Sequence, residues 1–532
     1  MTGVIDMAAM NLGYMLSRSA AAYADHLAVI HGDLALTYRE FNERANRVAS
    51  SLRQFGLEQG DRVAIFSPNR AEILEVLFAT WKAGLVAVPM NFRLHHDEVR
   101  YILNHSEAKV LVYAGVFQDA IDRIAGDLSA TRIAVCLDGL KEKGQQSFQT
   151  VLDYRDLLEH GDDAEWVDPV DGDDLAWLFY TSGTTGRPKG AMLTHRILLM
   201  MTLNACADIY PFGHDDIGLH AAPLTHGSGL YALPLIAKGG TNVILSAPRF
   251  DPEAVFASIE KHQVTVLPFM APTMVKRLIE SEARTKYDLR SLRCIIYGGA
   301  PMYVEDLIAG LKAFGPVFAQ IYGQGECPMT ITGLSREGHD LNRPERLASA
   351  GTARLGVQVR IQDADGNELP RGAVGEIAVQ SDLVMKGYWR NPEATNDTIV
   401  NGWMRTGDVG YMDEEGYLYI LDRTKDMIIS GGNNIYPREV EEVLLRHPAV
   451  QEACVFGVPD REWGEAVKAV VVLRQGHAAA EEELIAFCRN HLASYKKPRS
   501  VDFVEELPKN AYGKVLKREL RAKYWEGYTR TV

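Results

Sequence analysis

From residue 34 onward, short apolar runs take turns with amphipathic stretches, and that rhythm limits the fold more than any other feature of the chain. Thr37 and Glu40 stand three apart ahead of Phe41, Ala45, Val48 and Leu52, the pattern of a capping box opening a helix with one apolar side. A strand at 63–66, a helix at 70–83, a strand at 85–88, a helix at 96–105 and a strand at 109–113 then follow. A βαβαβ order of this kind predicts a doubly wound sheet with helices on its faces. Residues 138–174 are acidic and irregular and read as a surface connection. Apolar strands resume at 175–180 and 191–193, with Thr194 as N-cap to a helix from Ile197, and continue at 241–246, 264–269, 293–297 and 317–321. Over 348–421 the pattern changes to Gly-punctuated strands (VQVRIQDADG, GEIAVQS, GYLYILDR), a small β subdomain.

Past Arg423 the chain starts afresh with a helix at 437–446, strands at 451–456 and 467–473, a helix at 481–492 and a strand at 501–504. That is enough for a small domain of its own. The expected class is α/β: a large N-terminal domain of doubly wound sheets over 1–423, its β subdomain at about 348–423, a hinge in the polar RTKDMI run at 424–428, and a mobile α+β domain over 429–532.

A chain of 532 residues exceeds what one core holds. Its net charge of −14 argues against a duplex nucleic-acid partner, which needs a basic field. Six cysteines without C-x-x-C spacing suggest neither a disulfide framework nor a zinc site. The N-terminus lacks a basic leader, and no apolar run approaches the length of a membrane span. A cytoplasmic protein is expected, with a homodimer left open.

The stretch YTSGTTGRPKGAMLTH (180–195) packs hydroxyls, glycines and a lysine into one loop. The nucleotide-binding P-loop needs glycine before its lysine and a hydroxyl after it; here Pro188 and Gly190 occupy those places. The loop also joins two strands instead of opening a helix. Thr181, Ser182, Thr184, Thr185 and Lys189 can still hold a polyphosphate by hydroxyls, amides and one cation.

TSGTTGRPKG (181–190), YGGAP (297–301), YGQGE (322–326), RTGD (405–408), LDRTKDMI (421–428), SGGNNIYPREVE (430–441) and PKNAYGK (508–514) together resemble the AMP-forming acyl-CoA synthetases, in order and over essentially the whole chain. These belong to the superfamily that also holds peptide-synthetase adenylation domains and luciferases. The resemblance implies a two-step reaction. A carboxylate attacks the α-phosphate of MgATP to give acyl-AMP and pyrophosphate, and the thiol of coenzyme A then displaces AMP. The hydroxyl-rich loop, with Gly183, Gly186 and Gly190, would grip the β- and γ-phosphates and release them at each turnover.

By that resemblance Lys514 bridges the attacking carboxylate and the α-phosphate, and Glu326 binds magnesium. Tyr322 stacks on adenine opposite the backbone of Gly298, Gly299, Ala300 and Pro301, although it would serve equally as a core tyrosine. Asp408 accepts the ribose hydroxyls and Arg423 adds a ribose or phosphate contact. Lys425 matches the hinge position, and Gly431 and Gly432 line a pantetheine tunnel. Trp463 and Lys497 meet the nucleotide end of coenzyme A, or are a plain surface Trp and Lys. One departure stands out: Gly325 occupies the place where the family usually carries threonine, which removes a hydroxyl aimed at the α-phosphate.

The acid pocket is expected from PLTHGSGLYALP (223–234), the 297–300 turn and residues 324–329, with His226 gating the carboxylate and thiol region unless it is a satisfied core group. Small residues at Gly227, Ser228, Gly229, Ala232, Gly299 and Gly325, beside Tyr297, Gly298 and Gln324, predict a roomy pocket. Apart from Glu326, assigned to magnesium, these stretches carry no acid to pair an ammonium, and they carry no Arg or Lys to pair a second carboxylate. The reading is therefore an ATP-dependent ligase for an uncharged-tail carboxylic acid, medium- or long-chain fatty or aryl. The alternatives are a stand-alone enzyme loading a carrier protein, an inactive ATP-binding regulator, and a luciferase-like oxygenase.

Overall fold

The computed structural model describes residues 10–139, 148–181, 187–245, 250–300, 302–430, 433–509 and 515–526. Its strands form four sheets. The first runs in the order Thr150–Asp153, Ile133–Cys136, Ala108–Tyr113, Arg62–Phe66, Val86–Met90, Leu175–Thr181, Lys189–Thr194. It is parallel except for the last pair. All five residues of Val86–Met90 are buried, as a parallel strand covered on both faces requires. Trp81 and Trp177 lie fully buried between helix and sheet, and the Trp81 indole donates to the Ala176 carbonyl at 2.9 Å. The second sheet carries nine strands, with Ile217–His220, Val266–Met270, Cys294–Gly298 and Phe318–Gln324 at its parallel centre. The third is the antiparallel β subdomain, Gln358–Gln362, Gly375–Gln380, Trp403–Met412 and Leu418–Arg423.

Local chemistry accounts for the helix starts. The Thr37 hydroxyl accepts from the Glu40 amide at 3.2 Å, and Glu40 reaches back to the Thr37 amide at 2.8 Å, a complete capping box. Thr194 accepts from the Ile197 amide at 3.2 Å. Leu175–Thr181 and Lys189–Thr194 pair antiparallel, with Thr181 opposite Lys189, so the hydroxyl-rich loop does join two strands.

The stretch 138–174 departs from its expected irregularity. Thr150–Asp153 forms a parallel edge strand and Tyr154–His160 a helix. The acidic residues that read as loop composition are caps: the Asp153 carboxylate accepts from the Arg155 amide at 2.8 Å and Asp156 from the Asp153 amide at 2.8 Å. Tyr154, from the same helix, donates to the fully buried Glu75 at 2.6 Å, and Arg44 meets Glu75 at 3.0 Å.

Beyond the turn Thr424–Asp426, the fourth sheet pairs Val450–Asp460 with Gly464–Leu473, and helix Pro437–Leu445 packs against it. Contacts cross the junction. Arg438 donates to the Ile420 carbonyl at 2.8 Å, Tyr303 to Glu441 at 3.0 Å, and Lys276 to the Gln451 carbonyl at 2.8 Å. Lys517 sits between Asp422 at 3.5 Å and Glu441 at 3.1 Å.

Because the fully buried Glu75 joins three helices, Glu75→Ala should destabilise the N-terminal region by about 3 kcal/mol. A melting transition within a degree of the wild type would contradict that role.

Candidate functional site

A cleft of about 1740 Å³ lies where the two large sheets, the β subdomain and the C-terminal residues meet. Four groups of side chains define its chemistry.

The first centres on Asp408, which is 5 % exposed. The antiparallel register sets Asp408 opposite Arg423, and the pair closes at 3.1 Å through Oδ1. Oδ2 accepts from the Tyr322 hydroxyl at 2.7 Å and from Gln324 Nε2 at 2.8 Å. Burial and the neighbouring Asp408 charge hold the Tyr322 phenol far above its ordinary range, so it remains a donor. A carboxylate has about four acceptor sites, and three are used here. A ribose diol would therefore have to displace Tyr322 or Gln324 or share the oxygen facing Arg423. Gln324, Thr406, Gly407 and Arg423 line the cleft, as do Gly298, Gly299 and Ala300, whereas Tyr322 packs its ring among Ile361, Ile377 and Leu418.

The second group is built on Glu326. Its Oε1 accepts from the Tyr388 hydroxyl at 2.7 Å and from the Thr181 hydroxyl at 3.3 Å. Lys189 Nζ lies 5.1 Å from the Tyr388 ring centre, and all four residues line the cleft. Tyr388 was not singled out from sequence; the available signal was the GYWRNPE run, where Gly387 at φ 137° turns the chain before the Asn391 cap. Oxygen ligands of this kind suit magnesium, which is usually held by one or two carboxylates plus substrate phosphates. Ser182, Gly183, Thr184 and Thr185 lie outside the described residues, as do Pro301, Gly431, Gly432 and Lys514.

The third group surrounds His226. The imidazole packs against Phe179 in a tilted pair, with centroids 4.7 Å apart and planes inclined 34°, and burial lowers its pKa to about 4. His226, Gly298, Gln324 and Gly325 border the cleft; Gly227, Ser228 and Tyr297 do not. The Ser228 hydroxyl instead lies 2.8 Å from His220 Nδ1, and the Tyr297 hydroxyl 3.0 Å from His339. The glycines are small because neighbours already fill the space. A Cβ on Gly227 would meet Met329 Cε at 2.5 Å, and one on Gly229 would meet the Leu224 carbonyl oxygen at 1.9 Å. The pocket's room is thus not made by these residues. Nor is the cleft free of bases, since Arg93, Lys276 and Arg277 line it from the 92–94 turn and helix Pro272–Glu280, outside the stretches read from sequence. Lys276 pairs with Asp306 at 3.2 Å, and the Arg277 guanidinium lies 5.2 Å from the Phe250 ring centre.

The fourth group comes from the C-terminal residues. Lys509 and Val515 form a bridge, and both line the cleft with Pro508 and Leu516. Lys425 is exposed in the turn Thr424–Asp426. Trp463, 38 % exposed and covered by the Arg499 guanidinium at 5.3 Å, lies off the cleft wall with Lys497.

The AMP-binding enzyme family matches residues 16–389, and the AMP-binding enzyme C-terminal domain matches 439–514. A feruloyl-CoA synthase from Amycolatopsis sp is 40 % identical over 96 % of this chain and 99 % of its own. The long-chain-fatty-acid–CoA ligase FadD13 of Mycobacterium tuberculosis is 35 % identical over 97 % and 98 %. Among solved structures, ATP-bound MatB from Rhodopseudomonas palustris superposes with a TM-score of 0.88 at 35 % identity, covering 98 % of this chain and all of that one. The amide bond synthetase McbA from Marinactinospora thermotolerans gives 0.88 at 31 %, over 96 % and 99 %. With both halves matched and relatives aligned almost end to end, the chain belongs to the AMP-binding enzyme family as an AMP-forming acyl-CoA synthetase, an acid–thiol ligase.

Proposed function

We propose that this ligase activates a carboxylic acid with an uncharged fatty or aryl tail. The observation that carries the reading is the convergence, on one cleft, of Arg423, which pairs with the buried Asp408, the Glu326–Thr181–Lys189 corner, the His226 wall and both flanks of the 510–514 segment. A carboxylate oxygen attacks the α-phosphorus, the bond to the β-phosphate oxygen breaks, and pyrophosphate leaves. The coenzyme A sulfur then adds to the acyl carbon, and AMP departs with the electron pair of the acyl–phosphate bond.

Each corner has a task in that scheme. Asp408 and Arg423 orient the ribose. Thr181 and Lys189 hold the departing phosphates with the loop that follows Thr181. Glu326, positioned by Tyr388, would hold magnesium, which when bound offsets charge on the phosphates. Lys514 supplies a cation between the two reacting anions. Lys425 is the hinge about which the C-terminal residues turn, bringing Trp463 and Lys497 to coenzyme A. Their position off the cleft fits a state poised for the first step. The fatty and aryl tails both suit the Phe179, Phe269 and Met329 surroundings of His226. Arg277 on the cleft wall favours a second reading, an acid with an anionic far end. A panel of fatty, aryl and dicarboxylic acids assayed for CoA-dependent AMP release separates the two. Release of AMP without coenzyme A but with an acyl-carrier protein would favour the loading enzyme.

The lysine role predicts an asymmetric defect. Lys514→Ala should lower acid-dependent ATP–pyrophosphate exchange on the order of 10²-fold or more. It should leave conversion of supplied acyl-AMP and coenzyme A to thioester near the wild-type rate. Equal losses in both half-reactions would refute the assignment.

A pH prediction follows from His226. With its pKa lowered to about 4 by burial, the ring is neutral in any ordinary assay and gains charge only as the pH falls through that value. His226→Gln should reduce kcat/KM yet leave the profile between roughly pH 6 and 8 unchanged in shape. An inflection near the ordinary histidine value that vanished in the variant would show that the ring titrates during turnover.

A further inference from the structure

Gly325 stands where any other residue would collide with its neighbours. An added Cβ would lie 2.6 Å from Thr181 Cγ2 and 2.8 Å from Phe179 Cδ1. Residues 179 and 181 share one face of the strand Leu175–Thr181, because side chains alternate along a strand, and that face is turned toward position 325. The Phe179 ring is 3 % exposed and backs His226 in the 4.7 Å stack. Phe179, His226 and Gly325 all line the cleft, and Phe269 and Met329 close around Gly227 beside them.

We infer that Gly325, Phe179 and His226 form one specificity-determining stack, in which the missing side chain at 325 seats the Phe179 ring, the ring fixes the plane of His226, and the plate so held favours acids with a conjugated, planar carbon chain. The inference deepens the ligase reading and rests on it, since it requires His226 to face the acid. The selectivity has a physical basis. In a conjugated acid the α and β carbons are trigonal and lie in the carboxylate plane, so the molecule is one ring thick and offers a π face for offset stacking. A saturated acid of the same length brings tetrahedral α and β carbons, is thicker at the carboxylate, and has no π face there. The departure at 325 also fits this arrangement: a side chain there would meet Thr181 first and then the Phe179 ring. Gly325 and Phe179 act through His226 and are positioning residues.

The test compares kcat/KM for CoA-dependent AMP release with cinnamate and with its saturated counterpart, 3-phenylpropanoate. It uses the full chain as wild type, Gly325→Thr, Phe179→Leu and the double variant, each checked by thermal melting. The wild type should prefer cinnamate about three- to tenfold, the worth of one aromatic stack. Gly325→Thr should push the ring from its seat, lose about tenfold on cinnamate and erase the preference. Phe179→Leu should erase the preference with a smaller loss. The double variant should recover part of what Gly325→Thr lost, because leucine relieves the contact at 179 while the one with Thr181 remains, and still show no preference. Losses that multiply in the double variant, or a preference unchanged by Phe179→Leu, would overturn the inference, and the latter decides the matter even if Gly325→Thr does not fold. A wild type active on acids but indifferent between these two would overturn the stack and leave the ligase reading standing. A wild type that releases no AMP with any acid would remove the reading itself.

Discussion

The Asp408 carboxylate is the point on which the arrangement of the cleft depends. It is nearly sealed from water and takes two donors from the strand Phe318–Gln324 and one cation from Arg423, the last residue of its own sheet before the junction. Two parts of the chain are thereby registered on one ion: the large sheet and the β subdomain. A buried carboxylate stripped of such partners costs on the order of 3–5 kcal/mol. Each partner is thus held by the need of the others to remain satisfied. This side of the cleft inherits its geometry from the network and not from any single loop.

Much of this organisation was legible in the chain. The alternation of apolar runs and capped helices gave strand positions within a few residues, since burial on both faces of a parallel strand leaves a continuous apolar record. The 138–174 stretch was not legible, because Asp153 and Asp156 serve as caps and carry the same letters as a solvated loop. The edge strand beside them is only half buried and lacks an apolar run.

The cleft was legible by motif and poorly legible by volume. Asp408 and Arg423 could be named from RTGD and LDRTKDMI, yet only the strand register shows that they face one another. Tyr388 is sixty-two positions from Glu326, and nothing in a linear pattern announces that its hydroxyl meets that carboxylate. Small residues around His226 suggested open space, but a glycine records only that no side chain fits. Gly227 and Gly325 are small because Met329, Phe269 and Phe179 were there first. Arg93, Lys276 and Arg277 on the cleft wall come from a turn and a helix whose sequences carry no motif at all.

The Lys517 ammonium, wedged between Asp422 and Glu441, has a consequence for how the two parts of the chain can move. Asp422 belongs to the β subdomain and Glu441 to the first helix beyond the junction. Any rotation about the turn between them must pull the lysine from one carboxylate while it follows the other. Both carboxylates are nearly sealed from water, so the cost of that separation is Coulombic and dissolved ions screen it little. At the junction one lysine thus ties the β subdomain to the first helix beyond it.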